Sequence, residues 1–438
     1  MNNKNDLYLA VRSFLGKKLI HNAFFFTVAN TIRSGLPLLL IPFLTRFLSP
    51  EGYGIISTYE ILVAVCIIFV GMNGTSAISI EFFKKEKEEL KVYVGNSIFI
   101  ASFFFLCMLF LCSIFGVSFA KFINIPAEYI HLILWQSFAF FFVTLNLVLW
   151  QVEEKAKPYC LFQITQSIVN VSLTILFVMY LRWAWQGRIL AIVFAVSLFS
   201  LVSCFFLFKR QYITFRIDWI CIKNILAFGI PLIPHMLGAW IMTAIDRLFI
   251  NEMVGVATTG IYTVGYQIGA ILSLLMSSFN QAWSPYLYKN LKKNDPAQLK
   301  KIVKFTYCMF GALILVAASI AVLAPYILKY LVGEEFYAAN EYVFWITLGS
   351  AANGMYYMVA GYIFYAQKSH ILAWMTLLSA VFNVILNYIF IKAYGAIGAA
   401  QATTIVLFFN FFMVWFFSSR VYNMPWLYFL TKSETKGL

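Results

Sequence analysis

Arg33 and Glu60 are charged side chains set deep inside long apolar stretches of the sequence. Arg33 lies in TVANTIRSGLPLLLIP, and no other acid or base with a full charge occurs from Leu19 to Thr45. If this stretch is a helix, a rise of about 1.5 Å per residue puts the arginine roughly 20 Å from either end. A charge at that depth of a bilayer is costly, and such residues face a bundle interior or a water-filled cavity. A guanidinium group offers five donors in a fixed fork, which suits a phosphate or a carboxylate. Glu60 is the partner that the sequence offers Arg33, and a structural ion pair tying two helices is one reading of the two residues. Glu60 as a carrier of a proton or cation is another.

Further polar residues recur near the ends of apolar stretches. Asp246 and Arg247 close one of them, as a gate, a grip on sugar hydroxyls or a surface pair. His235 follows Pro234 by one residue, as a packed side chain or a coupling group. In FNQAWSPYLYK, Asn280, Gln281, Trp283 and Tyr286 offer hydrogen bonds together with flat apolar faces, which suits a sugar; an interfacial aromatic belt has the same composition. The substrate-binding candidates are therefore Arg33, Asp246, Arg247, Asn280, Gln281 and Trp283. The coupling or ion-pair candidates are Glu60 and His235.

The elements that hold these residues follow from composition. Of 438 residues 62% are hydrophobic, 19% aromatic and 11% charged, with a mean hydropathy of +0.82. A soluble domain carries about 25% charged residues. The apolar runs are continuous rather than alternating, so they are helices and not barrel strands. Twelve spans are expected, at 20–45, 53–78, 93–119, 129–151, 159–181, 189–208, 223–245, 257–285, 302–328, 340–364, 371–391 and 395–418. The basic N-terminal segment precedes a run too long for a signal peptide and is read as leading into a retained first helix. With both termini cytoplasmic, 24 Lys and Arg fall on the cytoplasmic side and 7 on the other. The net charge of +14 is then a consequence of topology and not a sign of nucleic-acid binding. Such a face also attracts anionic lipid headgroups.

The two halves repeat one another. SGLPLLLIP, with Pro37 and Pro42, matches FGIPLIP, with Pro231 and Pro234. Arg46 pairs with Arg247, Gly54 with Gly260 and Tyr59-Glu60 with Tyr266-Gln267 across small gaps, and Asn170 and Asn383 have similar contexts. Proline removes a helical hydrogen bond and kinks the helix, and matched broken helices in two repeats point to a transporter's substrate site. These four prolines are the expected hinges. The lobes are 1–212 and 213–438, joined by the basic segment KRQYITFRIDWICIK. The fold class is an all-α integral membrane protein with two six-helix bundles related by a pseudo-two-fold axis along the membrane normal.

Other chemistry finds no support. The seven cysteines form no CxxC or Cys/His cluster, so neither disulfides nor a metal site are expected. No GxxxxGK[ST], HExxH or GxSxG occurs, so no cofactor, no metal and no enzymatic activity are expected.

Four segments carry a family resemblance: LPLLLIPFLTRFLSPEGYGIIS, GIPLIPHMLGAWIMTAIDRLFI, GIYTVGYQIG and KAYGAIGAAQATT. In this order and spacing the chain resembles Wzx-type O-antigen flippases of the multidrug/oligosaccharidyl-lipid/polysaccharide exporter superfamily. The resemblance implies a V-shaped pair of six-helix bundles around a central cavity and alternating access. It implies an undecaprenyl-diphosphate-linked oligosaccharide as substrate, moved from the cytoplasmic to the outer leaflet of a bacterial inner membrane. Membrane lipids, a polymerase and a chain-length regulator are the partners it suggests. Arg33 is this chain's match to the family's cationic cavity, and the second lobe has no Arg or Lys at the corresponding position. Twelve helices disfavour the fourteen-helix peptidoglycan-precursor relatives. The alternatives are an ion-coupled small-molecule or drug exporter of the same superfamily, which calls for a set of membrane carboxylates, and a scaffold for glycan-assembly enzymes.

Overall fold

In the computed structural model the described residues are Phe25, Ile32, Arg33, Gly35 and 38–426. They form helices joined by short turns, with no strand among the described residues. Helices are the form in which an apolar chain satisfies its own backbone in lipid, where water is absent. The elements are α1 (Leu38–Phe47), α2 (Pro50–Gly71), α3 (Gly74–Glu81), α4 (Lys87–Phe122), α5 (Glu128–Val152) and α6 (Ala156–Thr174). Then come α7 (Ala184–Lys209), α8 (Trp219–Gly229), α9 (Ile233–Met253), α10 (Val256–Gly269) and α11 (Ile271–Lys293). The last four are α12 (Pro296–Leu331), α13 (Asn340–Tyr365), α14 (Ser369–Tyr394) and α15 (Ala396–Val421).

Ten helical stretches among the described residues are long and apolar enough to cross a membrane. Most of the expected span 20–45, including Pro37, lies outside the described residues. The expected span 340–364 is α13, whose Gly349, Ser350, Asn353 and Gly354 leave it less apolar than those ten. The span expected at 53–78 is interrupted at Met72 and Asn73, which both adopt positive φ. In the second half the helical stretch Trp219–Met253 is tightened at one place: Ile230–Leu232, which contains Pro231, is a 3-10 turn between α8 and α9, and Pro234 lies in the first turn of α9. Pro42 lies within the continuous helix α1, without such a turn.

The chain divides into two compact units, residues 1–48 with 58–233 and residues 49–57 with 234–438. In the first, α5 packs on α3, α4, α6 and α7, and Leu145, Leu149, Tyr93 and Ile225 fill the space between helices. The segment before α8 is extended and is held by Asn96. Its amide nitrogen donates to the Arg216 carbonyl at 3.0 Å and its amide oxygen accepts from the Asp218 N–H at 2.9 Å. Asp218 in turn caps α8 by accepting from the Ile220 N–H at 2.8 Å.

Glu153, just past α5, gathers this junction. Arg210 reaches its carboxylate at 2.6 Å and the Tyr212 hydroxyl donates to it at 2.6 Å. Burial works against the charge on Glu153, but hydrogen bonds from Tyr212, Arg210 and Lys155 outweigh it and hold the carboxyl below its ordinary range. Burial, and then the same carboxylate, push the Tyr212 phenol up to about 12.

In the second unit α13 packs on α11, α12 and α15 around Met358, Val359 and Tyr362. The first turns of α2 lie against α10. A Cβ on Gly54 would collide with the Val256 carbonyl, and one on Gly260 with the Pro50 carbonyl, so glycine at both positions lets the two backbones meet. Thr263 donates to Ser57 at 2.8 Å and Tyr53 to Gln267 at 2.8 Å along the same seam.

Candidate functional site: an arginine-lined cavity in the first unit

Helices α2, α5, α6 and α7 expose glutamine, asparagine, glutamate and arginine side chains toward one another in otherwise apolar surroundings. With Arg33 they line a cavity of about 310 Å³. Arg33 and Arg188 supply two guanidinium groups and Glu60 one carboxylate, a formal balance of +1. Gln136, Gln163, Gln166 and Asn170 supply amides.

Arg188 is the best-fixed of these. It is 7% exposed and stands one turn into α7. One terminal nitrogen donates to the Asn170 side-chain oxygen at 2.7 Å and to the Thr174 hydroxyl at 2.8 Å. The other lies 3.6 Å from the Glu60 carboxylate. Glu60's partner is therefore Arg188, not the Arg33 that the sequence suggests, because the start of α7 carries Arg188 to it. Arg33 is exposed and has no carboxylate partner among the described residues; its guanidinium lies 5.6 Å from the centre of the Phe140 ring. Gln136 accepts from the buried Tyr59 hydroxyl at 2.8 Å, and Gln163 donates to the Tyr159 hydroxyl at 3.2 Å. These bonds fix the amides in place. The arrangement can hold an anion between two guanidinium groups and offer hydrogen bonds to neighbouring hydroxyls.

The sequence marks Arg33 and Glu60 but misses Arg188, Gln136 and Gln163. Arg188 follows RWAWQG and counts as a loop residue by composition. Glutamines inside apolar spans were the available signal for the others.

The remaining candidates do not form one site: Asp246, Arg247, His235, Pro234, Asn280, Gln281 and Trp283 belong to the second unit, and Pro231 falls in the first. Asp246 and Arg247 lie within α9, which runs on to Met253, and not at its end. Asp246 is buried, accepts from the Tyr262 hydroxyl at 2.6 Å and from the Arg247 N–H at 2.8 Å. Arg247 stacks 4.0 Å from the centre of the Tyr266 ring. His235, Pro231 and Pro234 are exposed. Asn280 accepts from Ser284 at 3.1 Å, Gln281 is exposed, and Trp283 is buried against Phe279 and Phe305. Among the described residues no group of His, Cys, Asp and Glu could hold a metal ion.

A family described as polysaccharide biosynthesis protein matches residues 19–291. The chain belongs to this family. The MatE family matches residues 231–389. An uncharacterized membrane protein of Haemophilus influenzae is 25% identical over 395 residues, 89% of this chain and 92% of that one. A probable low-salt glycan biosynthesis flippase, Agl15 of Haloferax volcanii, is 26% identical over 169 residues, 38% of this chain and 35% of that one. The fold is similar to that of an inward-facing multidrug resistance MATE family transporter of the MOP superfamily. That likeness has a TM-score of 0.73 at 15% identity and covers 92% of this chain and 96% of that one. It is also similar to the lipid II flippase MurJ in an inward closed conformation, with a TM-score of 0.67 at 15% identity, over 90% and 86% of the two chains. The chain is thus a multi-pass membrane protein of the polysaccharide biosynthesis family, with a fold similar to that of these two solved structures.

Proposed function

We propose that this chain is a flippase that moves an undecaprenyl-diphosphate-linked oligosaccharide from the cytoplasmic to the outer leaflet of the inner membrane. The observation that carries the reading is the cavity in which Arg33 and Arg188 outnumber Glu60. A diphosphate is the part of such a substrate that is hardest to bring through a bilayer. Two guanidinium groups replace some of its lost hydration, and Gln136, Gln163, Gln166 and Asn170 offer partners to the first sugars. The polyprenyl chain stays in lipid and needs no protein site. The attraction has to stay weak enough for release, and a balance of +1 meets that need where a larger cluster would trap the headgroup. The family and the similarity to Agl15 support the same reading. Twelve spans with both termini cytoplasmic, as the charge distribution suggests, are part of this proposal, as is alternating access driven by different affinities in two states.

A second reading, an ion-coupled small-molecule exporter, is favoured by the MatE match and by the multidrug transporter fold. It needs a membrane carboxylate that titrates during transport, and Asp246, held by Tyr262, is the residue to examine for it.

The test uses proteoliposomes carrying a fluorescent undecaprenyl-diphosphate oligosaccharide. The wild type translocates it, Arg33→Ala does not, and Arg33→Lys keeps part of the rate because it keeps the charge and loses the fork. Equal rates in all three would make Arg33 irrelevant to passage and sink the assignment. No translocation by folded wild type would move the exporter reading to first place.

A further inference from the structure

A second cavity, of about 430 Å³, lies wholly in the second unit, at the junction of α11 and α12. It shares no residue with the arginine-lined cavity. Phe279, Trp283 and Tyr286 recur along one face of α11, and Phe305 comes from α12. The Trp283 ring stacks on Phe305 at 5.3 Å and on Phe279 at 6.1 Å, and meets Tyr286 at 5.6 Å. Gln298 donates to the Tyr286 hydroxyl at 3.0 Å, so the phenol is held in place. Lys301 completes the wall, and among the described residues no carboxylate lines the pocket.

Two features of this pocket call for an occupant with a phosphate and an apolar chain. Trp283 is 5% exposed, and its indole N–H has no hydrogen-bond partner among the described residues. A buried donor left without an acceptor is a cost that a bound oxygen removes. Lys301 is exposed and stands beside that aromatic wall, with no carboxylate lining the pocket among the described residues. The apolar surface also continues outward, since Phe305 and Leu275 are exposed.

We propose that this pocket binds one anionic phospholipid, its phosphodiester at Lys301 and the Trp283 N–H and the start of its acyl chain across Phe279 and Phe305. A free phosphate would leave four aromatic rings unused. A glycan would need more hydrogen-bonding groups than the one amide present, which is already engaged. The basic run KNLKKNDPAQLKK around the pocket puts it where anionic headgroups collect. A lipid held there wedges α11 against α12 and couples the second unit to the composition of the leaflet.

The experiment is native mass spectrometry of the full-length protein in detergent, titrated with phosphatidylglycerol, phosphatidylcholine, glycerol phosphate and undecaprenyl phosphate. One phosphatidylglycerol binds about fivefold more tightly than phosphatidylcholine, the preference that a single basic residue near a headgroup supplies. Lys301→Gln abolishes that preference, and Lys301→Arg keeps it. Lys292→Gln, an exposed change that does not line the pocket, leaves it unchanged. Trp283→Phe weakens both lipids by removing the N–H. Lys301 is exposed, so its variants keep the fold even where Trp283→Phe does not. An undiminished preference in Lys301→Gln overturns the proposal. So does displacement by equal glycerol phosphate, which would make this a free-anion site, or by a lower concentration of undecaprenyl phosphate, which would make it a substrate site. None of these outcomes depends on the assignment of the arginine-lined cavity.

Discussion

Replacing Arg188 shows what holds the cavity together. One terminal nitrogen donates to Asn170 at 2.7 Å and to Thr174 at 2.8 Å, and the other faces Glu60 at 3.6 Å. Hydrogen bonds to a charged group contribute about 1.5–3 kcal/mol. Hydrogen bonds between membrane helices average only about 0.6 kcal/mol, so the lower end of the charged range, about 1.5 kcal/mol, is the figure for Asn170. The Glu60 side chain is 46% exposed, and its distance from Arg188 exceeds hydrogen-bond range, so solvent screening brings that pair to about 0–1 kcal/mol. Two double-mutant cycles separate the contributions, with unfolding in mixed micelles followed by circular dichroism. Arg188→Gln with Asn170→Ala couples by about 1.5 kcal/mol. Arg188→Gln with Glu60→Gln couples by less than about 1 kcal/mol. A larger coupling to Glu60 than to Asn170 would refute this ranking and make the ion pair the anchor. If the ranking holds, Glu60→Gln leaves Arg188 in place and makes the cavity more positive, so translocation of a diphosphate substrate slows at the release step while its binding tightens.

Three further outcomes follow from the packing. Gly260→Ala and Gly54→Ala each force α2 and α10 apart and cost about 1–3 kcal/mol in the same unfolding assay, whereas Gly311→Ala, with open space at its Cβ, costs nothing measurable. Glu153 is held below its ordinary range, so its contribution is complete above the unfolded-state value of about 4.3 and is lost as pH falls through the lower folded-state value. Glu153→Gln removes that acid-side loss from a pH series of unfolding midpoints, and Arg210→Ala reduces it. Tyr262→Phe takes a donor from the buried Asp246 and destabilises by about 1–3 kcal/mol, while Tyr262→Phe with Asp246→Asn is less destabilised than the two single changes summed.

Much of this molecule is legible from charge set against apolar background. Arg33 stands out because nothing charged surrounds it in the sequence, and Pro231 marks the 3-10 turn Ile230–Leu232 because the ring removes a backbone donor. Arg188 is hidden by its neighbours: Arg182, Trp183 and Gln186 read as a loop, and only the winding of α7 turns Arg188 inward to Asn170 and Thr174. The same reasoning misplaces Asp246 and Arg247. A charge at the end of an apolar run reads as a helix end, yet Tyr262 and Tyr266 supply the hydroxyl and the ring face that let α9 continue through both residues. The Trp283 pocket also escapes the sequence, since Phe305 and Lys301 come from a different helix across a turn.

The most direct test of the central claim compares affinities for two soluble short-chain ligands that carry the same oligosaccharide, one through a diphosphate and one through a neutral linker. Measured by calorimetry on wild-type protein and on Arg33→Gln with Arg188→Gln, the affinity ratio reports attraction to the diphosphate alone. The wild type favours the diphosphate ligand, and the double variant binds both equally. A preference unchanged in the double variant, or absent from the wild type, would contradict an anionic headgroup as the ligand of this cavity.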